Sequence, residues 1–200
     1  MSAWPPLVLG SSSPRRAQIL TGLGLDFRTV VPEVDETADG PGPERVRRIA
    51  GRKARAVADR VDPGCLVVAC DTLVEVQGVV LGKPRDAGEA RAMLAALSGR
   101  EHLVHSAVVL SWRRQVVTGI ETTAVRLRPL RAEWIRAYVE GGEALGKAGA
   151  YAIQGRGQLF VQGISGSYTN VVGFPVECFV RLLEEWGLDL VDRLLRRSPG

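Results

Sequence analysis

The sequence predicts an α/β protein, and three features carry that prediction. A short apolar run, LVLG, passes through a serine turn into a helix-patterned stretch, so that LVLGSSSPRRAQIL, Leu7 to Leu20, reads as a strand delivered onto a helix. A second apolar run, LVVAC, follows a long amphipathic segment, which continues the alternation of strand and helix. Two long segments, EHLVHSAVVLSW and QVVTGIETTAVRLRPL, then flank Arg113 and Arg114 as an antiparallel pair. Two hundred residues, 46% of them hydrophobic, bury a core of one domain or two close lobes.

In the first element Ser13 is placed as N-cap, and Pro14 fits the first helical position because its missing N–H had no intrahelical partner. Gly24 closes the helix in a left-handed cap. The exposed N–H groups at such a helix start favour an anion, and Ser11, Ser12 and Ser13 add donors. Arg15 and Arg16 stand where the helix dipole disfavours cations. Either they are solvated, or an arriving polyphosphate compensates them, since guanidinium forks match phosphate oxygens. Neither GxxxxGK[ST] nor a GxGxxG after a strand is present.

Phe27 to Val31 reads as a strand entering a loop with Glu33, Asp35 and Glu36, and GPGP at 40–43 breaks the chain. The acidic loop is open to two readings, a hard-cation site or a solvated turn. A helix follows from about Glu44 to Val61, with Val46, Ile49, Ala50, Val57 and Val61 on one stripe. Lys53 lies on that stripe, and either snorkels or points into a cleft.

LVVAC predicts a buried strand with Asp71 and Thr72 at its C-terminal end, where α/β proteins bind ligands. Asp71 there is a general base, a metal ligand, or a capping residue. VQG turns the chain back into VVLG, and Lys83 before Pro84 is either a fixed charge reaching a phosphate or a surface lysine. Asp86 and Glu89 form a capping box for a helix whose inner face is Ala90, Met93, Leu94 and Leu97. His102 and His105, three apart on a strand, face opposite sides and do not share a metal. RAEWIRAYVE is an amphipathic helix with Trp134, Ile135 and Tyr138 inward. The stretch Glu143 to Pro175 is glycine-rich yet apolar, so it is no flexible linker. It is either an irregular packed connection or a place of close backbone approach, with Tyr151, Gln154 and Asn170 able to read a base edge. Helices begin at Pro175 and at LVDRLLRR, and RRSPG is read as a frayed end.

Composition narrows the classes. Lys and Arg number 26 against 22 Asp and Glu, a net charge of +4. The positive residues are dispersed, with no lysine run and no aromatic-basic alternation, so the signal for nucleic acid is weak and a small polyanionic substrate fits equally well; no nucleic-acid partner is expected. Cys65, Cys70 and Cys178 show neither CxxC nor zinc spacing and read as reduced thiols of a cytoplasmic protein. No apolar run has membrane length, so no membrane partner is expected.

SSSPRR, CDTLVEVQGVVLGKP, LSGREHLV, KAGAYAIQG and GSYTNVVGFPV occur in that order. Together they resemble the Maf family of nucleoside triphosphate pyrophosphatases, from about Leu7 to Glu184. The resemblance implies a long mixed sheet with flanking helices and two lobes around a central cleft, an ITPase-like architecture. It implies a single domain over 1–200, with a phosphate and metal lobe over about 1–100 and a second lobe over about 101–200, commonly as a homodimer.

The implied activity is hydrolysis of a nucleoside triphosphate to the monophosphate and pyrophosphate, with a divalent cation, Mg²⁺, Mn²⁺ or Co²⁺. By the motif match Asp71 is the proton acceptor, and Arg15, Arg16, Lys53 and Lys83 bind phosphates, with Ser11 in the same pocket. Glu33 holds the metal with Asp71, and Arg15, Thr72 and Gln154 set specificity. A cation cluster around Asp71 is expected to lower its pKa. Asp71-Thr72 with AIQG at Ala152 to Gly155 resembles the branch acting on dTTP and UTP; the branch acting on 7-methyl-GTP carries DQ. The chain departs from the family in having Glu143-Ala144-Leu145-Gly146-Lys147 where Glu-Pro-x-Asp-Lys is frequent. The family's link to septum formation leaves a nucleotide-sensing regulator of cell division with little turnover as the rival reading, beside a house-cleaning enzyme.

Overall fold

The computed structural model describes residues 4–196. β1 (Leu7–Gly10) enters α1 (Pro14–Gly22), which returns to β2 (Phe27–Thr29). α2 (Gly42–Ala58) leads to β3 (Leu66–Val76), β4 (Val79–Leu81) and α3 (Ala87–Leu97). β5 (Glu101–Trp112) and β6 (Gln115–Leu127) form the long hairpin, followed by α4 (Ala132–Glu140). Short 3-10 turns at Ala148–Ala150 and Gly155–Phe160 precede β7 (Val161–Ser165). α5 (Tyr168–Val172), α6 (Val176–Glu184) and α7 (Leu190–Leu195) complete the described chain. Of the stretch read as a frayed end, all but Arg196 lies outside the described residues.

The strands form one mixed sheet in the order β2-β1-β3-β5-β6-β7, with β4 on β3. β1 is parallel to β2 and β3, and the other pairings are antiparallel. The turn at Arg113 and Arg114, with φ of 49° and 65°, has the left-handed pair that a two-residue hairpin requires. Arg113 lays its guanidinium over Trp112 at 4.4 Å from the ring centre.

One detail of β3 places the site. On one edge β1 pairs Leu66 to Ala69, and β4 pairs Val74 to Val76. Between them Cys70 to Leu73 have a strand neighbour only on the β5 side. The sheet therefore has a notch in its middle, and Asp71 and Thr72 sit in it. They are mid-strand, not at a strand end as the sequence predicts. DTLVEV continues the strand because it pairs with β5 and buries Val74 and Val76.

The sheet is covered on both faces. α2 lies on small residues, with Val46, Ala50 and Ala54 against Ala69, Ala107 and Val109, which lets the helix approach closely. The opposite face packs Leu20 of α1 and Phe179 and Leu182 of α6 against Leu9, Val68 and Leu110. Phe174 and Phe179 meet edge-on at 5.3 Å, and burying such rings is worth about 1.5–3 kcal/mol each. A third cluster joins α3 and α4 to Val74, Val104 and Val125. All three cysteines are free and buried. Among the described residues no helix is long and apolar enough to cross a membrane.

Two caps differ from their sequence reading. Ser13 caps α1 without a side-chain hydrogen bond, and its N–H instead donates to Ser11 Oγ at 3.1 Å. Asp86 accepts the Glu89 N–H at 2.8 Å as expected, but Glu89 reaches back to the Arg85 N–H at 2.7 Å, one residue before the cap. Both histidines are buried structural groups, His102 on the Tyr151 hydroxyl and His105 on the Thr122 hydroxyl.

Candidate active site

The notch in β3 opens into a cleft of ≈ 280 Å³ whose walls come from both halves of the chain. Ser11, Arg15, Arg16, Lys53, Asp71, Thr72, Lys83 and Gln154 all line it, so the sequence-predicted residues converge, with one exception. Glu33 is exposed and does not line the cleft. The carboxylate that the loop brings in is Glu36, three residues on. Lys53 and Lys83 draw it there, because their ammonium groups lie 2.8 and 3.1 Å from its two oxygens.

Lys53 is the hinge of this arrangement. It is 5% exposed on α2, and its Nζ also lies 2.7 Å from Asp71 Oδ1. A lysine on a buried stripe thus points into the cleft and bridges two carboxylates. The two acids respond differently. Burial works against the charge of Glu36, but the bonds from Lys53 and Lys83 outweigh it and take its pKa down to about 2. Burial of Asp71 outweighs the pull of Lys53 and Arg16 and pushes its pKa above the ordinary value, which overturns the expectation of a lowered one. The result is a carboxylate more basic than usual, a property of a general base.

Arg16, for which a phosphate contact is predicted, lines the cleft and is at the same time bound within the protein. Its Nε donates to Gly173 O at 2.9 Å, and Nη1 to Cys70 O at 2.7 Å and Ser11 Oγ at 3.2 Å. Nη2 donates to Thr72 Oγ1 at 3.3 Å. The guanidinium fills the edge of β3 that no strand covers, and ties α1, β3 and the segment after α5 together. It makes no ion pair among the described residues, so its charge still acts on the cleft through space.

Arg15 and Lys147 form a cationic wall. Arg15 donates to Val172 O at 3.3 Å, and Lys147 to Leu145 O at 3.3 Å; neither pairs with a carboxylate at salt-bridge distance among the described residues. Burial, and then the neighbouring Arg16, lower the Arg15 pKa; burial, and then Arg15, lower that of Lys147. Like charges gathered in a half-buried wall are relieved when an anion arrives. Lys147 begins the KAGAYAIQG segment, and its spacing alone carries no signal for a role in the cleft. Gly146 also lines the cleft, with φ of 71°.

Of three candidate base readers, one remains free to act. Asn170 is fully buried and does not line the cleft; its Nδ2 donates to Val104 O at 3.0 Å and Thr123 Oγ1 at 2.9 Å, while its Oδ1 has no hydrogen bond among the described residues. The Tyr151 hydroxyl is turned to His102 Nε2 at 2.8 Å. Gln154 is exposed on the cleft wall, with no side-chain hydrogen bond among the described residues. Thr72 Oγ1 lies 2.9 Å from Ser106 Oγ and is part of the Arg16 network.

Among the described residues no group of three His, Cys, Asp or Glu side chains gathers as a metal cage. Two hard oxygen donors, Asp71 and Glu36, do face one cleft beside room for anionic oxygens. That set fits a cation such as Mg²⁺, which takes one or two carboxylates and completes its shell with water and substrate phosphates.

A family model described as Maf-like protein matches residues 6–186. A dTTP/UTP pyrophosphatase of Symbiobacterium thermophilum is 50% identical over 184 residues, covering 90% of this chain and 94% of the relative. Proteins of the same name from Myxococcus xanthus and Thermococcus gammatolerans are 46% and 44% identical. They cover 92% and 94% of this chain, and 94% and 100% of their own length. Among solved structures, that of the Staphylococcus aureus Ham1 protein superposes with a TM-score of 0.46 at 15% identity, over 61% of this chain and 71% of that one.

Proposed function

The chain belongs to the Maf-like protein family, and from that premise we propose that it is a nucleoside triphosphate pyrophosphatase acting on dTTP and UTP. It cleaves between the α and β phosphates and releases the monophosphate and pyrophosphate. The observation that carries this reading is the polarity of the cleft. Arg15 and Lys147 form a cationic wall with no carboxylate at salt-bridge distance among the described residues, and Asp71, a buried carboxylate of raised proton affinity, lines the same cleft. Relatives up to 50% identical, named dTTP/UTP pyrophosphatase, support the same substrate class.

In this reading the phosphate chain lies along Arg15, Lys147 and the N-terminal turn of α1, with Lys83 at the mouth. Arg16 frames that site, and Ser11 is held within it by the Arg16 guanidinium. Asp71 takes a proton from the attacking water, and Lys53 steadies the negative charge on both carboxylates. Asp71 and Glu36 would hold the divalent cation, Mg²⁺, Mn²⁺ or Co²⁺. When bound, that ion supplies charge neutralisation for the leaving phosphates. Gln154 presents both an amide donor and a carbonyl acceptor to the base. The two halves of the chain act as lobes of one domain sharing this cleft. A cytoplasmic homodimer with a house-cleaning role comes with the family likeness.

The test is a panel of dTTP, UTP, CTP, GTP and 7-methyl-GTP with each of the three cations, separating pyrophosphate from orthophosphate. Pyrophosphate released fastest from dTTP and UTP is the expected outcome. Orthophosphate as sole product, preference for 7-methyl-GTP, or tight dTTP binding without turnover would overturn the reading, the last in favour of a nucleotide-sensing role.

A further inference from the structure

Glu143 does not line the cleft, yet its carboxylate is fully used. Oε1 accepts the Gly157 N–H at 3.0 Å and the Tyr138 hydroxyl at 3.0 Å, and Oε2 accepts the Arg156 N–H at 3.0 Å. Burial works against the charge, but these bonds hold its pKa below the ordinary value, so it stays ionised. The Tyr138 oxygen in turn accepts the Ala152 N–H at 3.1 Å. Tyr138 is 5% exposed, and its ring meets Phe160 edge-on at 5.0 Å, so the hydroxyl is carried on a fixed support at the end of α4.

The three N–H groups bracket the short segment Ile153 to Gly155, with Gln154 at its centre. Ala152 lies two positions before Gln154, and Arg156 and Gly157 lie two and three after it. Gln154 itself makes no side-chain bond that would fix it. Its backbone is held from both sides by two residues that never reach the cleft. The closure is tight: Gly155 has φ of +78°, and a Cβ there would stand 2.9 Å from Glu143 Oε2. Only a glycine with left-handed backbone lets the loop settle on the carboxylate.

We propose that Glu143 and Tyr138 are positioning residues that set the base selectivity of the cleft by fixing the backbone on either side of Gln154. The proposal rests on the reading of the protein as a pyrimidine triphosphate pyrophosphatase with Gln154 at the base. A base is discriminated by hydrogen bonds whose donor and acceptor stand in the right place, and a loop that drifts loses discrimination before it loses phosphate binding.

The experiment compares the full chain with its Glu143→Ala, Glu143→Gln and Tyr138→Phe variants. Three quantities are read: kcat/KM for dTTP against CTP, inhibition by inorganic tripolyphosphate, which has no base, and amide hydrogen exchange at Arg156 and Gly157. In Glu143→Ala the dTTP preference falls about tenfold, the scale of one lost charge-assisted hydrogen bond. The fall is smaller in Glu143→Gln, which keeps one acceptor oxygen, and in Tyr138→Phe. The tripolyphosphate Ki stays within about twofold while both amides exchange faster. A preference unchanged in all three variants overturns the proposal. So does a tripolyphosphate Ki that rises in step with the KM for dTTP, which would make Glu143 a general scaffold. Wild-type protein with no pyrimidine turnover overturns the functional reading itself. Wild-type preference combined with unaltered amide exchange in Glu143→Ala overturns the clamp alone.

Discussion

Lys53 Nζ lies 2.7 Å from Asp71 Oδ1, while Asp71 Oδ2 has no hydrogen bond among the described residues. The ion pair thus fixes the carboxylate of this cleft-lining residue through one oxygen and leaves the other without a protein partner among the described residues. Asp71→Asn keeps the shape and removes the proposed base. Hydrolysis falls by at least about a thousandfold, on the scale of a lost general base, while dTTP binds within about threefold of wild type. Calorimetric titration beside a pyrophosphate assay checks this, and half the wild-type turnover in the variant removes Asp71 from the mechanism.

The two acids of the cleft titrate apart. Glu36, down to about 2, stays charged through the mildly acid range. Asp71, raised above its ordinary value of 3.8, takes up a proton first as pH falls. Carboxyl-carbon NMR of the metal-free protein therefore shows Asp71 with the higher midpoint. In Glu36→Gln that midpoint moves down, because a like charge disappears and Lys53 is left to Asp71 alone. A midpoint that moves up means that Glu36 was acting on Asp71 through Lys53 rather than as a like charge.

Arg15→Ala, Lys83→Ala and Lys147→Ala each lower kcat/KM by at least about tenfold, or ~1.4 kcal/mol of transition-state binding. Arg47, exposed on α2 and away from the cleft, is the control, and Arg47→Ala changes kcat/KM less than about twofold. Equal losses from all four would assign the effect to overall charge and not to a site.

Gln154→Ala cuts kcat/KM for dTTP and UTP by about tenfold and leaves residual GTP turnover within about twofold. An amide matches N3–H and a carbonyl of uracil or thymine, and the loss of such a pair is worth about 1–3 kcal/mol. A fall by one common factor on dTTP, UTP, CTP and GTP would place the base elsewhere.

What the sequence makes legible here follows from how local each cause is. Lys53 is readable because a helical stripe is periodic, and a charge on it stands out. The serine turn and the hairpin at Arg113 and Arg114 are readable because their cause is the backbone conformation of a few neighbours. Glu36 is not readable from spacing: four acids, Glu33, Asp35, Glu36 and Asp39, share that loop, and the one that turns inward is chosen by Lys53 and Lys83, 17 and 47 residues away. The role of Arg16 is hidden for the same reason, since two of its acceptors are backbone carbonyls 157 and 54 residues distant. Asp71 looks terminal because a polar pair follows an apolar run, and only the pairing with β5 shows the strand passing through it.

The notch in β3 has a consequence for how substrate range can change. The chemistry rides on a strand in the middle of a sheet, where any displacement must drag β5 and α2 with it. Gln154, the proposed reader of the base, rides on a short turn secured by a few removable bonds. Variation in the turn is therefore cheap and variation in the strand is ruinous, so the scaffold can be retuned to another base while its hydrolytic step stays untouched. Laboratory selection for new triphosphates would accumulate its first changes between Tyr138 and Gly157, and leave Asp71 and Lys53 as it found them.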